Sequence, residues 1–326
     1  MFEIKPFSED HINDAVKLFA AYHENHRSLQ PLLPEKDILH QVPAALSRIA
    51  NHPGVAAFRK GTLVGYMIET NTAENFMSKR TAFCIDLCAH CAVEEEKESI
   101  YQKMYEHLSR IWVGNRYHTH EISYFASDKV LSFAFYRLGF GMTHFELLRE
   151  LEPIDGGNTD VLIRKLESEE PIKELNREHH FYYPNPPLFW IPHDEYDENE
   201  EDGILSGDIE VFAAFDRDKP VAFFSVKKES AESWLLNDRR NLRIAGAFAK
   251  EGYRHRGIGK ALLREVVNWA IQNDCDRLYV EGESANIYGG NFWIKHFAPV
   301  VFSVRRCVDE RVAVKEHKVT NKEKKQ

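Results

Sequence analysis

"EGYRHRGIGKALLREVV", residues 251–267, places an arginine, two glycines and a lysine directly ahead of an apolar helical run. Upstream, "RIAGAFA" (243–249) reads as an apolar strand. The turn of this strand–turn–helix unit holds Gly257 and Gly259, which lack Cβ, so the backbone can bend tightly and a ligand can come close. The first amides of a helix have no partner within it, and together with the helix dipole they attract a phosphate. Arg254, His255, Arg256 and Lys260 add positive charge, and an arginine fork grips phosphate oxygens. Two phosphate-loop spacings fail here. A Walker A loop would need glycine at Arg254 and serine or threonine at Ala261, and a dinucleotide loop would need glycine or alanine at Leu262. The spacing that fits is Arg254-x-x-Gly257-x-Gly259.

The chain also repeats itself. "AAFRKGTLVGYMIE" from Ala56 is similar to "AAFDRDKPVAFFSV" from Ala213, "FYRLGF" from Phe135 to "FWIKHF" from Phe292, and Trp112 matches Trp269. The residue numbers in each pair differ by 157. Each copy predicts the same order: short strand, helix, a hairpin bending at Lys60-Gly61 or at Asp216 to Lys219, a longer strand ("TAFCIDLCAHCAV", 81–93; "NLRIAGAFA", 241–249), helix, strand, helix, strand. Such an order implies an α/β chain with mixed sheets. The polar run around Gly156-Gly157 reads as a linker between a domain at 1–154 and a domain at 160–326.

The six-residue spacing resembles the pyrophosphate loop of the GNAT N-acetyltransferase superfamily. "RLYVEGESAN" (277–286) is similar to that family's next strand, which ends at an asparagine. "NIYGGNFWIKHF" (286–297) is similar to its N-x-x-A-x-x-F-Y-x-K-x-G-F helix. The resemblance implies two tandem GNAT-like domains and acetyl-CoA as co-substrate, with no metal. It implies that the backbone of Ala247, Phe248 and Ala249 faces the thioester and pantetheine arm. Arg254, His255, Arg256, Gly257, Ile258, Gly259 and Lys260 would hold the pyrophosphate, with Asn286 and Trp293 completing the cofactor contacts. Asn286 suits a helix N-cap equally well. Glu281 is the candidate base and Tyr288 a candidate acid, because the place of the family's tyrosine holds Trp293, whose indole cannot act as a general acid. The constant offset sets Lys97, Ile100 and Gln102 opposite Arg254, Gly257 and Gly259. With Glu94, Glu95, Glu96 and Glu98 nearby, the first copy is expected to be degenerate and to bind no coenzyme A.

The expected reaction is direct attack of a primary amine on acetyl-CoA; the alternative is an acyl-CoA sensor without turnover. A net charge of −9 argues against a broad nucleic-acid surface and tilts the acceptor toward a cationic small molecule or peptide amine. The acidic run His193 to Asp202 is expected to form a solvated loop, with a lip that attracts such an acceptor as the alternative, and the basic run Lys315 to Gln326 a solvated tail. No apolar run reaches the length of a membrane span, and the start "MFEIKPFSED" is unlike a signal peptide. A cytoplasmic monomer or homodimer is the expectation. The five cysteines do not read as a disulfide framework. "CIDLCAHC" carries C-x3-C-x2-C, but on a strand Cys84 and Cys88 would share one face and Cys91 the other, so buried small hydrophobes are favoured over an iron–sulfur cluster.

Overall fold

The computed structural model describes residues 2–312 apart from 156, 158, 169, 192–208, 229, 230, 232, 238 and 239. The acidic run 193–202 and the basic run 315–326 lie outside the described residues. The first half runs β1 (Glu3–Pro6), α1 (Ile12–Leu29), α2 (Ile38–Ile49), β2 (Gly54–Arg59), β3 (Thr62–Ile68), β4 (Asn71–Phe76), β5 (Lys79–Cys84), β6 (His90–Ala92), α3 (Lys97–Gly114), β7 (Thr119–Phe125), α4 (Lys129–Arg137) and β8 (Gly141–Glu150). The second runs β9 (Leu162–Leu166), α5 (Lys173–His180), β10 (Ile209–Asp216), β11 (Lys219–Lys228), β12 (Asn241–Ala249), α6 (Ile258–Gln272), β13 (Arg277–Glu283), α7 (Ile287–His296) and β14 (Ala298–Cys307). The mixed α/β order expected from the sequence is present. Helix α2 was not foreseen; Asp37 caps it by accepting from the His40 amide.

The repeat is visible in detail. β2–β3 and β10–β11 are antiparallel hairpins, with register breaks at Ala57/Phe58 and Ala214/Phe215 respectively. Their turns carry left-handed residues at Lys60 and Arg217. In both halves a parallel strand pair forms and then parts: β5 with β7 at 81–84 and 119–122, and β12 with β13 at 241–243 and 277–279.

The halves exchange their last strands. In the ten-stranded sheet the order is β4-β5-β7-β14-β8-β13-β12-β11-β10-β9. β14, from the second half, pairs with β7 of the first, and β8, from the first half, pairs with β13 of the second. The two exchanged strands pair antiparallel with each other. The cores follow the exchange. Val300, Val301 and Val304 of β14 pack in the core of the first half, and Phe145 and Leu147 of β8 in that of the second.

The single strand expected at 81–93 is broken. Asp86 makes a turn whose carbonyl accepts from the Ala89 amide, so the chain leaves β5 and re-enters as β6 in a separate four-stranded sheet, β1-β2-β3-β6. Cys84, Cys88 and Cys91 are all buried, and burial drives each thiol well above its ordinary pKa. Among the described residues no three His, Cys, Asp or Glu side chains are grouped to hold a metal, and no helix is long and apolar enough to cross a membrane.

Candidate active site between splayed strands

A one-residue bulge opens the second half. Opposite Ser225 and Val226 the register of β12 jumps from Gly246 to Ile244, leaving Ala245 extra, two residues after Arg243, the last residue paired to β13. A bulge bends its strand, so β12 swings away from β13. On the other edge β12 stays paired to β11. There the Lys250 amide donates to the Val221 carbonyl, and hydrogen-bonded pairs alternate along an antiparallel ladder. By that alternation the backbone of Ala247 and Ala249 points away from β11, into the opening. The Ala249 carbonyl is met there by Arg254 Nε at 3.0 Å.

The opening is a cavity of about 1010 Å³. All of the cofactor residues named from the sequence line it except Arg256, which turns outward to Asp160 at 2.6 Å. Gly257 is left-handed at φ 77° and immediately precedes α6, whose first internal bond runs from the Ala261 amide to the Gly257 carbonyl. The amides of Ile258, Gly259 and Lys260 are therefore outside the helix ladder. Gly259 lies against α7: a Cβ there would come within 3.1 Å of the Phe292 ring. Tyr253 ties the loop to the β10–β11 turn by donating to Asp216 at 2.7 Å. Arg254 is sandwiched between the rings of Tyr182 and Tyr288, at 5.3 and 4.7 Å. This loop, with the Lys260 and Lys295 ammonium groups on the same wall, fits a polyphosphate: its amides are unspent and a side chain at either glycine would be strained or crowded.

Asn286 caps α7, accepting from the Gly289 amide at 3.0 Å, and its Oδ1 also accepts from Tyr182 at 3.3 Å, so its Nδ2 is the part left to meet a ligand. Trp293 is 7% exposed and packs on Phe224, Phe292 and Phe297. Tyr288 is 45% exposed at the cavity mouth.

Sequence reasoning missed the rest of the wall. His179, Tyr182, Tyr183 and Trp190 contribute an aromatic face. Desolvation beside Phe223, Phe248 and Tyr183 lowers His179 to about 4, with His180 adding to the effect. Burial raises Tyr183 to about 12, helped by the negative charge of Glu283. At the far end the exchanged strand β8 delivers His144 and Phe145. His144 bridges two carboxylates of β13, with Nε2 3.6 Å from Glu281 and Nδ1 3.5 Å from Glu283. Glu281 also receives Arg243 and the Tyr279 hydroxyl, the latter at 3.0 Å; Tyr279 contacts Glu146 at 2.8 Å. A signal for these residues existed: at the same positions of the other exchanged strand, 157 further on, His144 and Glu146 become Val301 and Ser303.

The first half closes the corresponding opening. The counterpart of Ala247 there is His90, paired to β3 as Ala247 is to β11. Its ring spans the gap, with Nε2 at the Ser123 carbonyl of β7 and Nδ1 at the Tyr101 hydroxyl, 2.8 Å each. The offset of 157 holds on both sides of the loop, at His90 and Ala247 and at Trp112 and Trp269, but α3 starts about one turn earlier than α6. Four residues, 93–96, connect β6 to α3, where eight, 250–257, connect β12 to α6. The left-handed residue ahead of the helix is Glu96 in the first half and Gly257 in the second, and Lys97, Ile100 and Gln102, which the offset sets opposite Arg254, Gly257 and Gly259, lie inside α3. Buried Lys97 reaches Asp128, the α4 cap, at 3.0 Å, and Tyr22 and His26 join them. Asp128 is desolvated, but His26, Lys97 and the Leu131 amide outweigh that and lower its pKa.

Residues 170–296, all within the second half, match the family model described as "Acetyltransferase (GNAT) family". Over the whole chain the fold is shared with a GCN5-related N-acetyltransferase from Sphaerobacter thermophilus, at 13% identity and TM-score 0.55, covering 96% of each chain. A tandem GNAT protein from the clavulanic acid biosynthesis pathway aligns at 11% identity and TM-score 0.44, covering 94% of this chain and 98% of that one. No curated protein matches the sequence.

Proposed function

We propose that this protein transfers an acetyl group from acetyl-CoA to a primary amine, in the second half only. One observation carries the reading: the Gly257-x-Gly259 helix start and the β12 edge freed by the Ala245 bulge face the same cavity, whose far end holds carboxylates. When bound, acetyl-CoA supplies the acyl group as a thioester. The amides of Ile258 to Lys260, with Arg254 and Lys260, hold its phosphates. The Ala247 and Ala249 backbone aligns the pantetheine arm, and a strand amide offers a hydrogen bond to charge developing on the acyl oxygen. Ala247 leaves the room that His90 fills in the first half. Tyr288 is the phenol of α7 on the cavity wall and is the group we assign to protonating the departing thiolate.

Calorimetric titration with acetyl-CoA tests the cofactor: one site per chain is expected, and two sites would mean the first half also binds. Thiol release during incubation with primary amines then separates an enzyme from an acyl-CoA sensor, which would bind without releasing thiol.

A further inference from the structure

We propose that His144, carried into the cleft of the second half by strand exchange, takes the proton that the amine acceptor must lose, with Glu283 holding the ammonium beside it. This rests on the acyl-transfer reading above. The exchange supplies an internal control, because the two-fold-like pairing of β13 with β8 and of β7 with β14 matches positions one to one. Glu281 and Glu146 are paired, as are Ser123 and Ser303; Glu283 and His144 are paired, as are Phe125 and Val301. The fold thus accepts neutral residues at all four positions, and the charged quartet occurs only beside the open cavity.

Within the quartet the roles divide. Glu281 already receives Arg243 and Tyr279, so it is the fixed anchor for His144 Nε2. Glu283 has His144 Nδ1 at 3.5 Å and lines the cavity, so an ammonium between them can hand its proton to Nδ1. The freed amine lone pair then forms the C–N bond to the acyl carbon as the C–S bond breaks and sulfur leaves with its electron pair. Tyr288 gives its proton to the thiolate and is reprotonated by the second nitrogen proton, and the proton on His144 passes to solvent.

The groups around His144 set its basicity. Burial pulls its pKa down, and the Glu283 hydrogen bond and the charges of Glu283, Glu146 and Glu121 outweigh it and raise it. Tyr279 and Tyr183 also face this end, and Arg305 of β14 pairs with Glu121 at 2.6 Å. An imidazole raised in this way accepts a proton from an ammonium more readily, at pH values above its own pKa.

The test compares two probes that suit the aromatic wall, each with acetyl-CoA: 2-phenylethylamine, an ammonium at neutral pH, and O-benzylhydroxylamine, which is uncharged there. His144→Gln is expected to lower kcat/KM roughly 100-fold for the first while leaving the second within about threefold. In Glu283→Gln the raising charge is gone, so the ascending limb of the kcat/KM profile for 2-phenylethylamine should move to lower pH. Equal losses for both probes, or an unmoved limb, would overturn the assignment of His144. No thiol release by the unaltered protein with either probe would instead overturn the acyl-transfer reading beneath it.

Discussion

Lys97 Nζ lies 3.0 Å from Asp128 Oδ2, both side chains buried, across the place where the second half opens its cavity. Removing Lys97 takes the ammonium from a buried carboxylate and leaves it only Tyr22, His26 and the Leu131 amide. Lys97→Met should therefore cost about 3–5 kcal/mol of stability, measured by urea unfolding, whereas Lys97→Met with Asp128→Leu should recover much of the loss. Acetyl-CoA affinity should not change in a variant that stays folded, because the network lies in the other half.

Arg254 and Arg256 are two residues apart and differ in what they face. Arg254→Ala removes a cation on the cavity wall and should weaken acetyl-CoA binding roughly 10- to 100-fold, on the scale of a charged hydrogen bond. Arg256→Ala, which breaks an outward pair with Asp160 and a contact over the Tyr253 ring, should leave the dissociation constant nearly unchanged. Calorimetry on the two variants decides it.

Gly257 and Gly259 resist substitution for different reasons. Valine at 257 must adopt a left-handed backbone, at a cost of about 1–2 kcal/mol, and its side chain would stand in the phosphate cradle. Valine at 259 would press on Phe292. Both should abolish measurable acetyl-CoA binding, while thermal unfolding should show Gly259→Val to be the more disruptive to the packing of α7.

Acid should weaken the fold through two buried histidines in the first half. Burial is the largest cause in each, and it holds His23 and His120 at about 4, against an ordinary value of 6.5. In the unfolded chain both take a proton near 6.5, so their stabilising contribution is complete above that value and is lost as pH falls toward 4. Urea midpoints should drop between pH 7.5 and 4.5, and replacing His120 with Gln should flatten part of that slope.

The sequence by itself determined the loop chemistry, the repeat and the element order apart from α2, β4 and the break between β5 and β6. These are local: glycine spacing, helical and strand periodicity and turn residues act within a few positions of one another. It also marked the first copy as degenerate, since glutamates and no glycine stand ahead of α3. The Asp86 turn was legible only in part, because "TAFCIDLCAHCAV" keeps strand-like composition on both sides of the break. Only the tertiary structure decided which half receives β8 and β14. Backbone ladders form between any two strands of matching length and face, and both last strands carry the same pattern, so neither names its partner. That choice brings His144 and Glu146 to Glu281 and Glu283, residues more than 130 positions away whose meeting no local periodicity encodes.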